Sequence, residues 1–187
     1  MSPTARPILV VLRGAVGAGK TCVARTIKDL RNDVKIVDVD DSKVRRYGTS
    51  ERCNPDHDFP EAGRRARTLL DRGFHTFVIE AFAEKGYVDL CMNETGRKLG
   101  DTNVAIVWLS CDLETSLKRK RGEISEGVIR YQHKRYRRRY RPAGEIEIET
   151  DHVDADDVVR ALLRILPLSN QEQASRPRKI AIDSVPL

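Results

Sequence analysis

The stretch Ile8-Leu9-Val10-Val11-Leu12-Arg13-Gly14-Ala15-Val16-Gly17-Ala18-Gly19-Lys20-Thr21 decides the fold. Its second half fits G-x-x-x-x-G-K-[ST], in which glycines let the backbone turn tightly and aim successive N–H groups into an anion nest. A lysine at position 20 can reach β- and γ-phosphates, and the Thr21 hydroxyl suits Mg²⁺. The first half is β-branched and apolar, as a buried parallel strand requires. Downstream, Val23, Ile27 and Leu30 recur at helical spacing, so a helix opens near Lys20 with its N-terminal dipole facing the phosphates. Strand, loop and helix in that order imply a nucleoside triphosphate held by Gly14, Ala15, Val16, Gly17, Ala18, Gly19, Lys20, Thr21 and Cys22.

Outward from this unit, strand-like runs alternate with helical patterns, the signature of an α/β fold with a parallel sheet. Strands are expected at 8–12, 34–39, 76–79, 104–109 and 146–148, and helices near 20–31, 59–72, 84–99, 113–121 and 156–166. The segment 123–141 reads as one or two further helices. Asp58-Phe59-Pro60-Glu61 has the spacing of a capping box, and Gly73, Gly100 and Pro167 are expected to close helices. The polar stretch 169–179 reads as a tail, with Ile180-Ala181-Ile182 docking as a short strand. The expected organisation is one domain over 1–167 with a basic lid about 119–142, then a tail over 168–187.

With 187 residues the chain can bury a core without staples. Cys22, Cys53, Cys91 and Cys111 are scattered without metal-ligand spacing, which points to reduced thiols. No apolar run reaches the length of a membrane span, and the expected location is the cytoplasm. The net charge of +6 is local: Arg130, Lys134, Arg135, Arg137, Arg138, Arg139 and Arg141 stand together without an acid. Removing those seven leaves the rest at −1, so one surface faces an anionic partner.

In a parallel α/β sheet, ligands bind beyond the carboxyl ends of the strands. Asp38, Asp40 and Asp41 follow the second expected strand, and Glu80 ends the third. Asp40 is the candidate to orient or deprotonate an acceptor or, with Thr21, to organise Mg²⁺. Asp41 is the expected helix cap, with Asp38 and Asp40 on one strand face. Glu80 supports metal or binds substrate. Arg119 is the candidate to neutralise a transferring phosphoryl group, with Arg121 beside it. Ile129, His133, Tyr136 and Tyr140 share one helical face and read as packing residues. The arginines between them repel at i, i+4, as Arg135 and Arg139 do, and bound phosphate would relieve this. They form either a lid or a surface for RNA spanning Arg130–Arg141.

These pieces in this order resemble the small P-loop kinases of the nucleoside-monophosphate-kinase-like group over roughly residues 8–166. Asp38–Arg45, Glu61–Gly73 and Tyr140–Thr150 resemble parts of adenylylsulfate kinases, although that family's lysine-glycine-leucine-tyrosine signature is missing. The paired aspartates are similar to those of phage polynucleotide kinase, whose general base would fall on Asp40 and lid arginine on Arg119. The closing strand and helix resemble chloramphenicol phosphotransferase. The resemblance implies a three-layer P-loop fold with a five-stranded parallel sheet, helices on both faces and a basic helical lid. It further implies ATP and Mg²⁺ as cofactors, and transfer of the γ-phosphoryl group to an anionic or hydroxyl-bearing small molecule. Lys20, Asp40 and Arg119 would be catalytic, Asp38, Arg45 and Glu80 would bind substrate, and Arg64 or Arg65 could help to anchor an anionic acceptor.

Overall fold

The computed structural model describes residues 6–48, 53–81, 83–166 and 168, without the side chains of Ser42, Arg45 and Tyr47. The expected closing Pro167, the tail at 169–179 and the docked strand at 180–182 lie outside the described residues.

Five parallel strands form one sheet in the order β2-β3-β1-β4-β5: β1 Leu9–Gly14, β2 Val34–Asp38, β3 His75–Ile79, β4 Val104–Ser110 and β5 Ile146–Glu149. The helices are α1 Lys20–Leu30, α2 Val39–Tyr47, α3 Pro55–Asp71, α4 Lys85–Thr95, α5 Leu113–Arg119, α6 Glu126–Tyr136 and α7 Ala155–Ile165. This is the three-layer α/β arrangement, and strand alternation builds both faces. Val10, Leu12, Phe77, Ile79, Val107 and Leu109 point to one face and meet Val23, Ala24 and Ile27 of α1 and Val158, Val159 and Leu162 of α7. Leu9, Val11, Val37, Val78 and Ile106 point the other way, onto Phe59, Ala62 and Ala66 of α3 and Val88 and Cys91 of α4. Each fully buried aliphatic side chain contributes about 1.5–3 kcal/mol.

Three local expectations are corrected. The capping box fails because α3 begins four residues earlier, with Asn54 as N-cap and Pro55 in the first turn. Asp58, buried inside that helix, instead accepts the Asn54 N–H at 2.8 Å. Helix α4 ends at Gly96, whose left-handed φ of 70° breaks the helix, rather than at Gly100. The strand expected to run to Val39 stops at Asp38, and α2 starts there, a short polar helix with no apolar periodicity to announce it. All four cysteines are free.

Candidate active site

The chain leaves β1, crosses to the edge strand β2, returns through β3 and only then reaches β4 on the other side of β1. Such a reversal opens a crevice at the carboxyl ends of the strands. The phosphate loop lies there after β1, Asp38 at the end of β2 and Glu80 directly after β3. Gly14 must be glycine: a Cβ would come within 2.4 Å of the Leu109 carbonyl oxygen on β4. Gly17, at φ 79°, would press a Cβ to 2.7 Å of Ser116 Oγ. The Ser116 hydroxyl donates to the Val16 carbonyl, which pins the loop to α5.

Lys20 folds back over the loop and donates to the carbonyls of Gly14 at 2.9 Å and Ala15 at 3.0 Å. Burial lowers its pKa, while Glu80, Asp40, Cys111 and Asp38 act in the opposite sense. The phosphate-loop lysine therefore shares one electrostatic cluster with both strand-end acids.

Asp38, not Asp41, caps α2: its Oδ1 accepts the Asp40 N–H at 3.0 Å. Burial raises the Asp38 pKa, reinforced by Asp40 and Asp41. Asp40 does not share a strand face with it, since Asp40 stands in the first turn of α2 and is exposed. Lys43, which the sequence reading did not single out, is buried beneath it. Its ammonium lies 3.0 Å from Asp40 Oδ1 and 3.4 Å from Glu80 Oε2. Burial opposes the charge on Lys43, but Glu80 and Asp40 outweigh it and raise the pKa. Glu80 is raised by burial and then by Asp40, with Lys43 and Lys20 opposing. No pattern betrayed Lys43, because α2 itself was invisible to periodicity. Arg45 lies on α2 with its side chain outside the described set.

Arg119 ends α5 and reaches the phosphate loop, donating to the Gly17 carbonyl at 3.2 Å and to Thr150 Oγ1 at 3.1 Å. Thr150, buried after β5, in turn donates to the Ser110 carbonyl at 3.0 Å. This threonine was also missed; only the fold brings it to the loop. Arg121 lines a separate open cleft between α5 and α6 with Leu117, Ile124 and Ile129. Arg64 pairs with Glu61 and Glu94 at 3.2 and 3.6 Å.

The basic segment resolves differently from its sequence appearance. Repulsion among its arginines is relieved by the protein's own acids. Arg135 pairs with Glu84, Arg130 with Glu126 and Arg141 with Glu147. Arg139 is buried, bonded to Glu145 and Glu147, with its guanidinium 3.9 Å from the Trp108 ring centroid. It is therefore not an exposed cation of the segment. Tyr136 packs edge-on against Trp108 at 5.8 Å, and Ile129 is buried, as the helical spacing implies. His133 lies beside Tyr136, with burial lowering its pKa.

No protein-family model matches the chain, and no curated protein matches it by sequence. Solved structures do match in fold. The APS kinase CysC of Mycobacterium tuberculosis, solved with AMPPNP and APS, is 16% identical with a TM-score of 0.62. That alignment covers 85% of this chain and 96% of the other. A sugar kinase from Janibacter sp. HTCC2649 is 18% identical with a TM-score of 0.57, covering 84% of this chain and 93% of that one. A chain of the Pnkp1/Rnl/Hen1 RNA repair complex is 19% identical with a TM-score of 0.55. There the match covers 70% of this chain but 44% of that one. The architecture is thus the three-layer fold of P-loop kinases. Among the described residues, no helix is long and apolar enough to cross a membrane.

Proposed function

We propose that this protein is an ATP-dependent phosphotransferase moving the γ-phosphoryl group to a hydroxyl or phosphate of a small-molecule or nucleotide acceptor. The observation that carries this reading is the convergence of Asp40 and Glu80, bridged by Lys43 at 3.0 and 3.4 Å, beside the phosphate-loop Lys20 at the carboxyl edge of β1 to β3. A bare phosphate-binding loop has no need of an exposed carboxylate beside it; a kinase does, because the acceptor hydroxyl must be oriented and relieved of its proton. The loop amides and Lys20 hold the triphosphate. Asp40 faces the acceptor, Asp38 shapes the turn that presents it, and Arg45 is a candidate for an anionic acceptor.

Mg²⁺ fits the donors present, since the Thr21 hydroxyl and the Asp40 carboxylate are hard oxygens of the kind it prefers. Among the described residues, no group of three or more His, Cys, Asp or Glu side chains could hold a metal unaided, so phosphate oxygens would complete its shell. When bound, the ion neutralises charge on the transferring group. Arg119, held against the loop by Thr150, would add further positive charge beside the donor.

Asp40→Asn should lower phosphoryl transfer about a hundredfold or more while leaving ATP affinity nearly unchanged. Transfer of ³²P from ATP to a mixture of candidate alcohols, nucleotides and polynucleotide ends, alongside nucleotide-binding titrations, checks both halves. If Asp38→Asn or Glu80→Gln carries the loss and Asp40→Asn does not, the assignment of Asp40 is wrong.

A second reading, an NTPase whose basic surface docks on RNA, is favoured by Lys134, Arg137 and Arg138. All three are exposed, and no salt bridge among the described residues engages them. The lid reading makes the same cations close over the donor. Replacing the three together by glutamine separates the readings. A lid loses turnover with modest salt dependence, because a closed site is shielded from screening. An RNA surface keeps turnover and loses RNA affinity, with the salt slope falling by about 0.7 per lost phosphate contact. Arg139 is left out of the triple because its loss would disturb the core.

A further inference from the structure

Asp40 poses a physical problem for the kinase reading. Its side chain is 59% exposed on the first turn of a short polar helix, where a carboxylate samples several rotamers. A group that must meet an acceptor hydroxyl needs a fixed direction, because small misplacements cost large factors in rate. The structure supplies a restraint one turn further along. Lys43 has a side chain only 6% exposed, and its ammonium bridges Asp40 Oδ1 at 3.0 Å and Glu80 Oε2 at 3.4 Å. Glu80 directly follows β3, a central strand paired on both sides, so it is anchored to the rigid sheet. Lys43 therefore links an exposed carboxylate on α2 to one anchored on the sheet.

We infer that Lys43 is a positioning residue, whose ammonium clamps Asp40 to Glu80 so that one Asp40 oxygen is held and the other is left to the acceptor. The inference rests on the kinase reading for its catalytic consequence. The geometry asks for a lysine-like cation. Without one, Asp40 and Glu80 would be like charges sharing a site that already contains Asp38, and they would splay apart. The remaining charged and titratable neighbours do not replace it. Lys20 is engaged with the Gly14 and Ala15 carbonyls, while Cys53 near Lys43 and Tyr136 near Glu80 bring no positive charge.

The test is a double-mutant cycle on Mg·ATP hydrolysis, with water as acceptor, together with binding of a fluorescent ATP analogue. Lys43→Met should lower kcat on the order of tenfold to a hundredfold, as removal of groups that orient a site's functional residues does. Analogue affinity should stay within about twofold, since the phosphate loop is untouched. Lys43→Arg, which keeps the charge and guards against a folding defect in the methionine variant, should recover most of the rate. Lys43→Met combined with Asp40→Asn should be no slower than Asp40→Asn alone, because both act through one carboxylate. Multiplying effects in the double variant, or an unaltered kcat in Lys43→Met, would overturn the positioning role and leave the kinase reading standing. Wild-type protein that binds the analogue but neither hydrolyses ATP nor phosphorylates any acceptor would remove the kinase reading and the positioning role with it.

Discussion

Lys20→Ala should abolish phosphoryl transfer, lowering it by on the order of a hundredfold to a thousandfold, while the protein still folds. The size follows from removing a preorganised cation at the point where charge develops on the transferring group. Folding should survive because Lys20 is a costly resident. Burial lowers its pKa despite the neighbouring carboxylates of Glu80, Asp40 and Asp38, so the folded state disfavours its charge. What the loop loses is two hydrogen bonds, to the Gly14 and Ala15 carbonyls, which would turn to water or a bound ligand. Nucleotide titration, ATP turnover and a thermal melt on the same preparation check this. Full turnover in the variant would defeat the proposed function at its root.

Glu145→Ala should destabilise the fold by about 3–5 kcal/mol, the cost of breaking a buried ion pair and stranding its cation. The melting temperature should fall by roughly 6–20 °C, given about 2–4 °C per kcal/mol for a chain of this size. Glu145 is 5% exposed and stands between two buried arginines, bonding Arg13 and Arg139 through separate oxygens. Burial already pulls the pKa of Arg13 down to about 10, against the attraction of Glu145, and Arg139 pushes in the same direction as burial. Without Glu145 the two guanidiniums would face each other over Trp108, at 5.4 and 3.9 Å from its ring centroid. Glu147→Ala is the control. Its side chain is 40% exposed and 3.3 Å from both Arg139 and Arg141, so its loss should cost no more than about 1 kcal/mol. Equal shifts in the two variants would show that the buried cluster contributes no more than a surface pair.

The Glu145 cluster also marks where reading the chain by itself stops. Arg13 is an unremarked residue inside an apolar strand, and its partner lies 132 positions away. Arg139 looks like one of seven solvent-facing cations; its acids stand only six and eight residues on, but its burial against Trp108 is not written in the local sequence. The same holds at the candidate site. Lys43 follows Asp40 by three residues, a local spacing, but α2 shows no apolar period, and Glu80 is 37 positions further on. Thr150 reaches Arg119 only because β5 ends beside β4. The start of α3 departs for a local reason: Asp58 has the right spacing for a cap, yet Asn54 and Pro55 open the helix first, while α1, α4, α5 and α7 begin within a residue of where the sequence places them.

What the sequence determined by itself is what short-range physics controls. Gly14 to Gly19 make the tight turn between β1 and α1 because the backbone freedom of the glycines permits it. The strands and long helices form where apolar period and β-branching demand burial, and their alternation forces a parallel sheet with its ligand edge at the carboxyl ends. Which charges meet was decided only by the tertiary structure. Coulombic attraction and desolvation depend on distance through space and on what excludes water, and neither is written in the spacing of residues along the chain. Folding thereby sorted one basic run into a buried structural arginine, paired surface arginines and a few exposed cations. By the same physics it set Lys43 between Asp40 and Glu80.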